Sequence, residues 1–136
     1  MSSERVLKFV GEHRNAVLAT YHADGRIQQS PVTVGLGAGD TVVISSRETA
    51  VKVRNLLRDP RVSLVVTTEA FIGDWLLIEG GAEIVHLPEA MDGLVSYYRD
   101  LAGEHPDWDD YRAAMVRDQR VLIRITPTKV GPTIKG

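Results

Sequence analysis

"SSRETAVKVRNLLRDPR", residues 45–61, carries Arg47, Lys52, Arg54, Arg58 and Arg61, opposed only by Glu48 and Asp59. The two serines end a β-rich run, "TVVISS". A helix is expected from about Glu48 to Arg58, ending before Pro60 because the residue preceding proline is biased away from α. "RVSLVVTT" then returns to alternating, β-branched sequence. The segment is therefore strand, short helix, strand. It also holds five of the 16 Lys and Arg residues in a chain with 18 Asp and Glu.

Working outward, most other strands meet through hairpins. "AVLATYHADGRIQQSPVTVGL" places two β-rich runs around Asp24-Gly25, a strong two-residue turn signal. "GLGAGD" leads into "TVVISS", so it reads as a hairpin loop; a phosphate-binding glycine loop would open a helix instead. "DWLLIEGGAEIVHL" gives two strands or one long bent strand, with Gly80-Gly81 as the bulge. Helices are expected at the N-terminus (Ser3 as cap, Val6, Leu7 and Val10 inward), from Pro88 to about residue 105, and over "DWDDYRAAMVRD". In the last of these Asp107 caps and Asp109 and Asp110 suit the helix dipole. "RVLIRITPTKV" is the final strand. The expected fold is mainly β (α+β): a six-stranded antiparallel split barrel with peripheral helices in one domain, residues 1–136. A doubly wound parallel sheet would need regular strand–helix alternation.

Composition narrows the function classes. A formal net charge of −2 gives no global attraction to nucleic acid or lipid, so any anion site must be local. There is no cysteine, which excludes thiol nucleophiles and thiolate metal sites. His13, His22, His86 and His105 lack metal-ligand spacing, and no G-x-S-x-G nucleophile motif occurs. The first fourteen residues hold charges throughout and no signal-peptide core, and no run suits a membrane span, so a cytoplasmic location is expected.

Helical geometry divides the basic segment. At 100° per residue, Ala50, Val53 and Leu57 share the face expected to pack on the barrel, with Arg54 and Arg58 beside it. Lys52 points almost oppositely to Arg54, so the charges cannot all serve one compact anion. Ser45, Arg47 and Lys52 fall at the helix start, where unpaired N–H groups and cations together suit a phosphate. These residue types alone fit a phosphate site and a solvated helix face equally well.

The hairpin "DGRIQQSPV", the strand "VVISS", "TAVKVRNLLRDPRVSLVV" and "EGGAEIV" together resemble the pyridoxamine 5′-phosphate oxidase-like split-barrel flavoproteins. The segment "YYRDLAGEHPDWDDYRAAMVRDQRVLIRITPTKV" is similar to the actinobacterial branch that binds the deazaflavin coenzyme F420, the class B flavin/deazaflavin oxidoreductases. This resemblance spans about Arg14 to Val130. It implies a homodimer with two cofactor sites at the subunit interface. It also implies that Lys52 contacts the cofactor phosphate, with Ser45 at the end of the preceding strand. Gln28, Pro31 and Val32 would line the ring, and Trp75 would be contributed by the partner subunit. Ala50 departs from the pattern, standing where some relatives place a second phosphate-binding arginine, and Arg47 is the expected substitute. Ile27 replaces the usual proline after the turn.

The implied function is hydride transfer from reduced F420 to a small or planar unsaturated substrate such as an enone, imine or quinone. An FMN-dependent oxidase or reductase, and a non-catalytic F420 carrier, are the alternatives. The F420 tail bears several carboxylates, for which Arg54 and Arg58 are candidates. Tyr21, His22 and Trp75 could line the pocket; none is assigned a catalytic role. Substrate shape is expected to depend on the loop from Glu69 to Asp74.

Overall fold

In a computed structural model, residues 2–131 are described, with side chains from residue 4 onward. The Ser3 cap lies outside the described side chains. Helix α1 (Ser2–Glu12) is followed by β1 (Asn15–Tyr21), β2 (Ile27–Thr33), β3 (Gly35–Leu36) and β4 (Val42–Arg47). Then come α2 (Val51–Arg58), β5 (Arg61–Thr67), β6 (Trp75–Val85), α3 (Met91–Ala102), α4 (Trp108–Arg117) and β7 (Arg120–Gly131). One antiparallel sheet runs in the order β2-β1-β5-β6-β7-β4-β3. Among the described residues the strands number seven rather than six, the additional one being the two-residue β3.

The period-2 pattern of the strands builds the core directly. In β5, Val62, Leu64 and Val66 point inward while Arg61, Ser63, Val65 and Thr67 point out. The register aligns Leu18, Leu64, Ile78 and Val130 in one inward row across β1, β5, β6 and β7. Val6 and Val10 of α1 and Val53 and Leu56 of α2 complete this core, each at most 3% exposed. Fully burying each such side chain favours folding by roughly 1.5–3 kcal/mol. β6 is one continuous strand rather than two, and its pairing with β7 shifts register between Glu79 and Gly80. A Cβ on Gly80 would lie 2.1 Å from the Thr126 carbonyl oxygen, so only glycine lets β7 pass there.

Three local expectations change. The β1–β2 connection uses three residues, Ala23-Asp24-Gly25, because His22 N–H still donates to Arg26 O (2.8 Å). Leu7 is exposed. In α2 the helix begins at Val51, and residues 47–50 form the end of β4 and a turn. Its buried face is Val53, Asn55 and Leu56, while Leu57 is 59% exposed. The cause is a polar contact. Asn55 Nδ2 donates to the buried Thr20 Oγ1 (3.1 Å), which donates to Gln28 Oε1 (3.2 Å). Arg58 Nη2 donates to Asn55 Oδ1 (3.3 Å) and to Tyr21 O. Asn55 is drawn inward and Leu57, two residues on, is rotated out. The capping by Asp107 is as expected: its carboxylate accepts from Asp110 N–H (3.1 Å).

Removing a partner from this buried network leaves polar groups unpaired and a cavity besides. Asn55→Ala is therefore expected to lose about 2 kcal/mol in urea unfolding, and Leu57→Ala less than about 0.5 kcal/mol. A larger loss at Leu57 would contradict this helix phase.

Candidate functional site

The two edge strands, β2 and β3, are separated in sequence by Val34 alone. The sheet must curl until its edges meet there, and beyond that corner they part. β3 pairs with β4 only at Val43 and Val42, so the next residues of β4 face a gap toward β2. A cleft of about 390 Å³ occupies this gap, lined by Asn15, Ala16, Pro31, Val32, Thr33, Ile44, Ser45, Lys52 and Tyr97. That volume falls within the range of small-molecule sites.

Helix α3 holds the corner together. Tyr97 Oη donates to Thr33 O on β2 (2.7 Å). Asp100 takes a bidentate contact from Arg14 (2.9 and 2.8 Å) and accepts from Leu36 N–H (2.9 Å). Gly35 makes this approach possible, since a Cβ there would sit 2.9 Å from Tyr97 Cδ1. α4 backs α3 through Tyr98, His105, Trp108 and Tyr111, whose ring centroids lie 5.0 to 5.7 Å apart.

The electrostatics of the cleft favour an anion. Burial holds the Lys52 ammonium below its ordinary value, and the nearby Arg120 charge adds to the effect. Burial pushes the Tyr97 phenol up, against the opposing pull of the Ser45 backbone amide and of Arg120 and Arg14. Among the described residues, no carboxylate lies within 4.0 Å of Lys52. Among the described residues, the buried side-chain atoms Ser30 Oγ and Arg120 Nε lack a hydrogen-bond partner. Ser30 stands two residues from Val32 on the same face of β2.

Of the residues singled out from sequence, Pro31, Val32, Ser45 and Lys52 converge on this cleft. Arg47 is the exposed last residue of β4, on the same face as Ser45. Gln28 and Arg58 join the Thr20–Asn55 network instead. Arg58 grips Tyr21 O, six residues along β1 from Asn15, or roughly 20 Å at ~3.3 Å per residue. Arg54 is exposed on α2, and Trp75 is exposed at the start of β6. Arg61 begins β5 and pairs with Asp59 (2.7 Å), which holds that carboxyl down at about 2. Tyr97, Asn15, Thr33 and Ile44 are cleft residues that sequence reasoning missed. Tyr21 and His22 lie at the other end of β1.

The chain matches the pyridoxamine 5′-phosphate oxidase family over residues 2–133 and belongs to it. Among solved structures it is similar to the conserved hypothetical protein Rv2991 from Mycobacterium tuberculosis. The two are 25% identical, with all of this chain and 93% of that one covered and a TM-score of 0.78. It also shares its fold with an F420 reductase, at 20% identity, 92% and 94% coverage and a TM-score of 0.71. A heme binding protein from Mycobacterium smegmatis matches at 20% identity and a TM-score of 0.70; 96% of this chain covers 52% of that one.

Burial disfavours the charged form of Lys52 in the folded chain. Its folded-state value lies below the ordinary 10.5, so the unfolded chain binds the proton more tightly. Stability should rise with pH between the folded value and 10.5. Ligand-free Lys52→Met should thus melt above the parent at neutral pH, with the gap closing as pH approaches 10.5. Thermal unfolding by circular dichroism across that range checks this; a variant that melts lower throughout would contradict it.

Proposed function

We propose that the chain is an F420-dependent oxidoreductase that binds its cofactor in the β2–β4 cleft. The observation carrying this reading is Lys52, half-buried in the cleft beside Ser45 and Tyr97, with no carboxylate among the described residues to balance it. A cofactor phosphate supplies the missing counter-charge, and charge-assisted bonds to it are the strong kind.

When bound, the reduced deazaflavin supplies a hydride from its C5. The chain's own part is positioning. Pro31 and Val32 present backbone and apolar surface to a planar ring, while Tyr97 fixes the separation of the cleft walls. Lys52 would hold the cofactor phosphate, and Pro31 and Val32 would limit how far the ring can shift relative to a substrate. The substrate in this reading is a small or planar enone, imine or quinone. The family membership and the fold shared with an F420 reductase support the cofactor class. FMN in the same cleft is the second reading, since its phosphate would meet Lys52 equally well. Exposed Arg54, which makes no ion pair among the described residues, favours a cofactor with an anionic tail. Arg58 is already engaged by Tyr21 O and Asn55.

The active species in this reading is a homodimer. On the sheet's outer face, half-buried Val17, Val65 and Leu77 line up with exposed Pro31, and the next row ends at Trp75. A second copy over this face would bury an apolar row and bring its own Trp75 toward the cofactor.

Fluorescence titration of the purified chain with F420 and with FMN tests the proposal. Tight F420 binding, with F420H2 oxidation by at least one member of an enone and quinone panel, is the expected result. FMN retained through purification with no F420 affinity would overturn the cofactor choice. F420 binding without any turnover would favour a carrier.

A further inference from the structure

The charge around Lys52 is larger than the cleft lining alone suggests. Arg120, the first residue of β7, stands directly opposite Arg47, the last residue of β4. Directly opposed residues in an antiparallel pair point to the same face, and like charges there are destabilising. That face is also Ser45's, by the alternation of β4. Arg120 is close enough to act on both Lys52 and Tyr97, two of the residues that line the cleft. Its Nε is buried without a hydrogen-bond partner. Among the described residues, none of the three cations has a carboxylate within 4.0 Å. Three unbalanced cations, one with an orphaned buried donor, are costly to assemble unless an anion is bound among them.

We propose that Arg120 is the second cation of the phosphate site, binding the cofactor phosphate together with Lys52 while Arg47 closes the rim. This rests on the reading of the cleft as a cofactor-phosphate site. It assigns to β7 the work that Ala50 cannot do, because an alanine at the start of α2 offers no charge. Arg47 is exposed and free to bend away, so it serves the field of the site more than its contact. Arg120 is more restricted, since its backbone is paired to β4, the residue is only partly exposed and its Nε is buried. A planar guanidinium restricted in this way presents two donors in one direction, which suits phosphate oxygens.

The test uses the full chain and three probes: inorganic phosphate, F420, and the deazaflavin core that lacks phosphate and tail. Arg120→Met, Arg120→Lys and the surface control Arg112→Met are compared. Phosphate should raise the melting temperature of the parent and of Arg112→Met, and barely move Arg120→Met. Without any ligand, Arg120→Met should melt no lower than the parent, because a like-charge contact has been removed. F420 affinity should fall on the order of ten- to a hundredfold in Arg120→Met. Affinity for the phosphate-free core should stay unchanged, and Arg120→Lys should recover part of the F420 loss. If Arg120→Met does not fold, Arg120→Gln takes its place in each measurement.

Equal phosphate stabilisation of parent and Arg120→Met would overturn the proposal. So would equal losses for F420 and the phosphate-free core, which would mark Arg120 as a packing residue, and so would a parent that phosphate does not stabilise. If F420 and FMN both fail to bind the parent while phosphate protection still depends on Arg120, the cofactor reading falls and the anion site stands. If F420 binds parent and variant alike, the cofactor reading stands and the role of Arg120 falls.

Discussion

One residue, Val34, joins the two edge strands of the sheet, and this covalent constraint shapes everything at the site. Strands at opposite ends of a seven-stranded sheet cannot be consecutive in sequence unless the sheet rolls up until its edges touch. They touch at a corner and separate beyond it, because β3 pairs for only two residues. The separation is held at a fixed width by α3, through Tyr97 on Thr33 O and Asp100 on Arg14 and Leu36 N–H. An unpaired stretch of strand edge is ordinarily a liability. Here it is roofed by a helix and turned into a cleft.

A cofactor phosphate in the cleft, as proposed, would balance the cations that gather beside it. Burial disfavours the charged form of Lys52, and Arg120 faces Arg47 across a strand pair. In the proposed reading a bound phosphate balances them, as functional sites commonly sacrifice stability for binding. By contrast, Arg58 and Arg61 are ordinary structural cations, one clipping α2 to β1 and the other paired with Asp59. The basic segment at residues 45–61 thus contains both kinds within a few turns of chain.

Much of the fold was legible in the sequence because it depends on local signals. Alternation in β5, the glycine pair in β6, Pro60 after α2 and Asp107 before α4 each act over a few residues. The phase of α2 was not legible, because the Thr20–Asn55 contact is made between residues far apart in sequence and outweighs the apolar pull of Leu57. The cleft was half legible. Pro31, Val32, Ser45 and Lys52 carry the family pattern, whereas Tyr97 is one of two adjacent tyrosines, and only the packing against Gly35 selects it. Arg120 carried no local signal at all; its meaning comes from strand register.

The central claim is that the β2–β4 seam holds the cofactor. Hydrogen–deuterium exchange of the chain with and without saturating F420 tests it most directly. Protection is expected in peptides covering residues 31–36, 44–53 and 120–122, where the cleft walls and cations lie. Protection confined to the α3–α4 aromatic cluster, with the seam exchanging as in the free chain, would contradict the account.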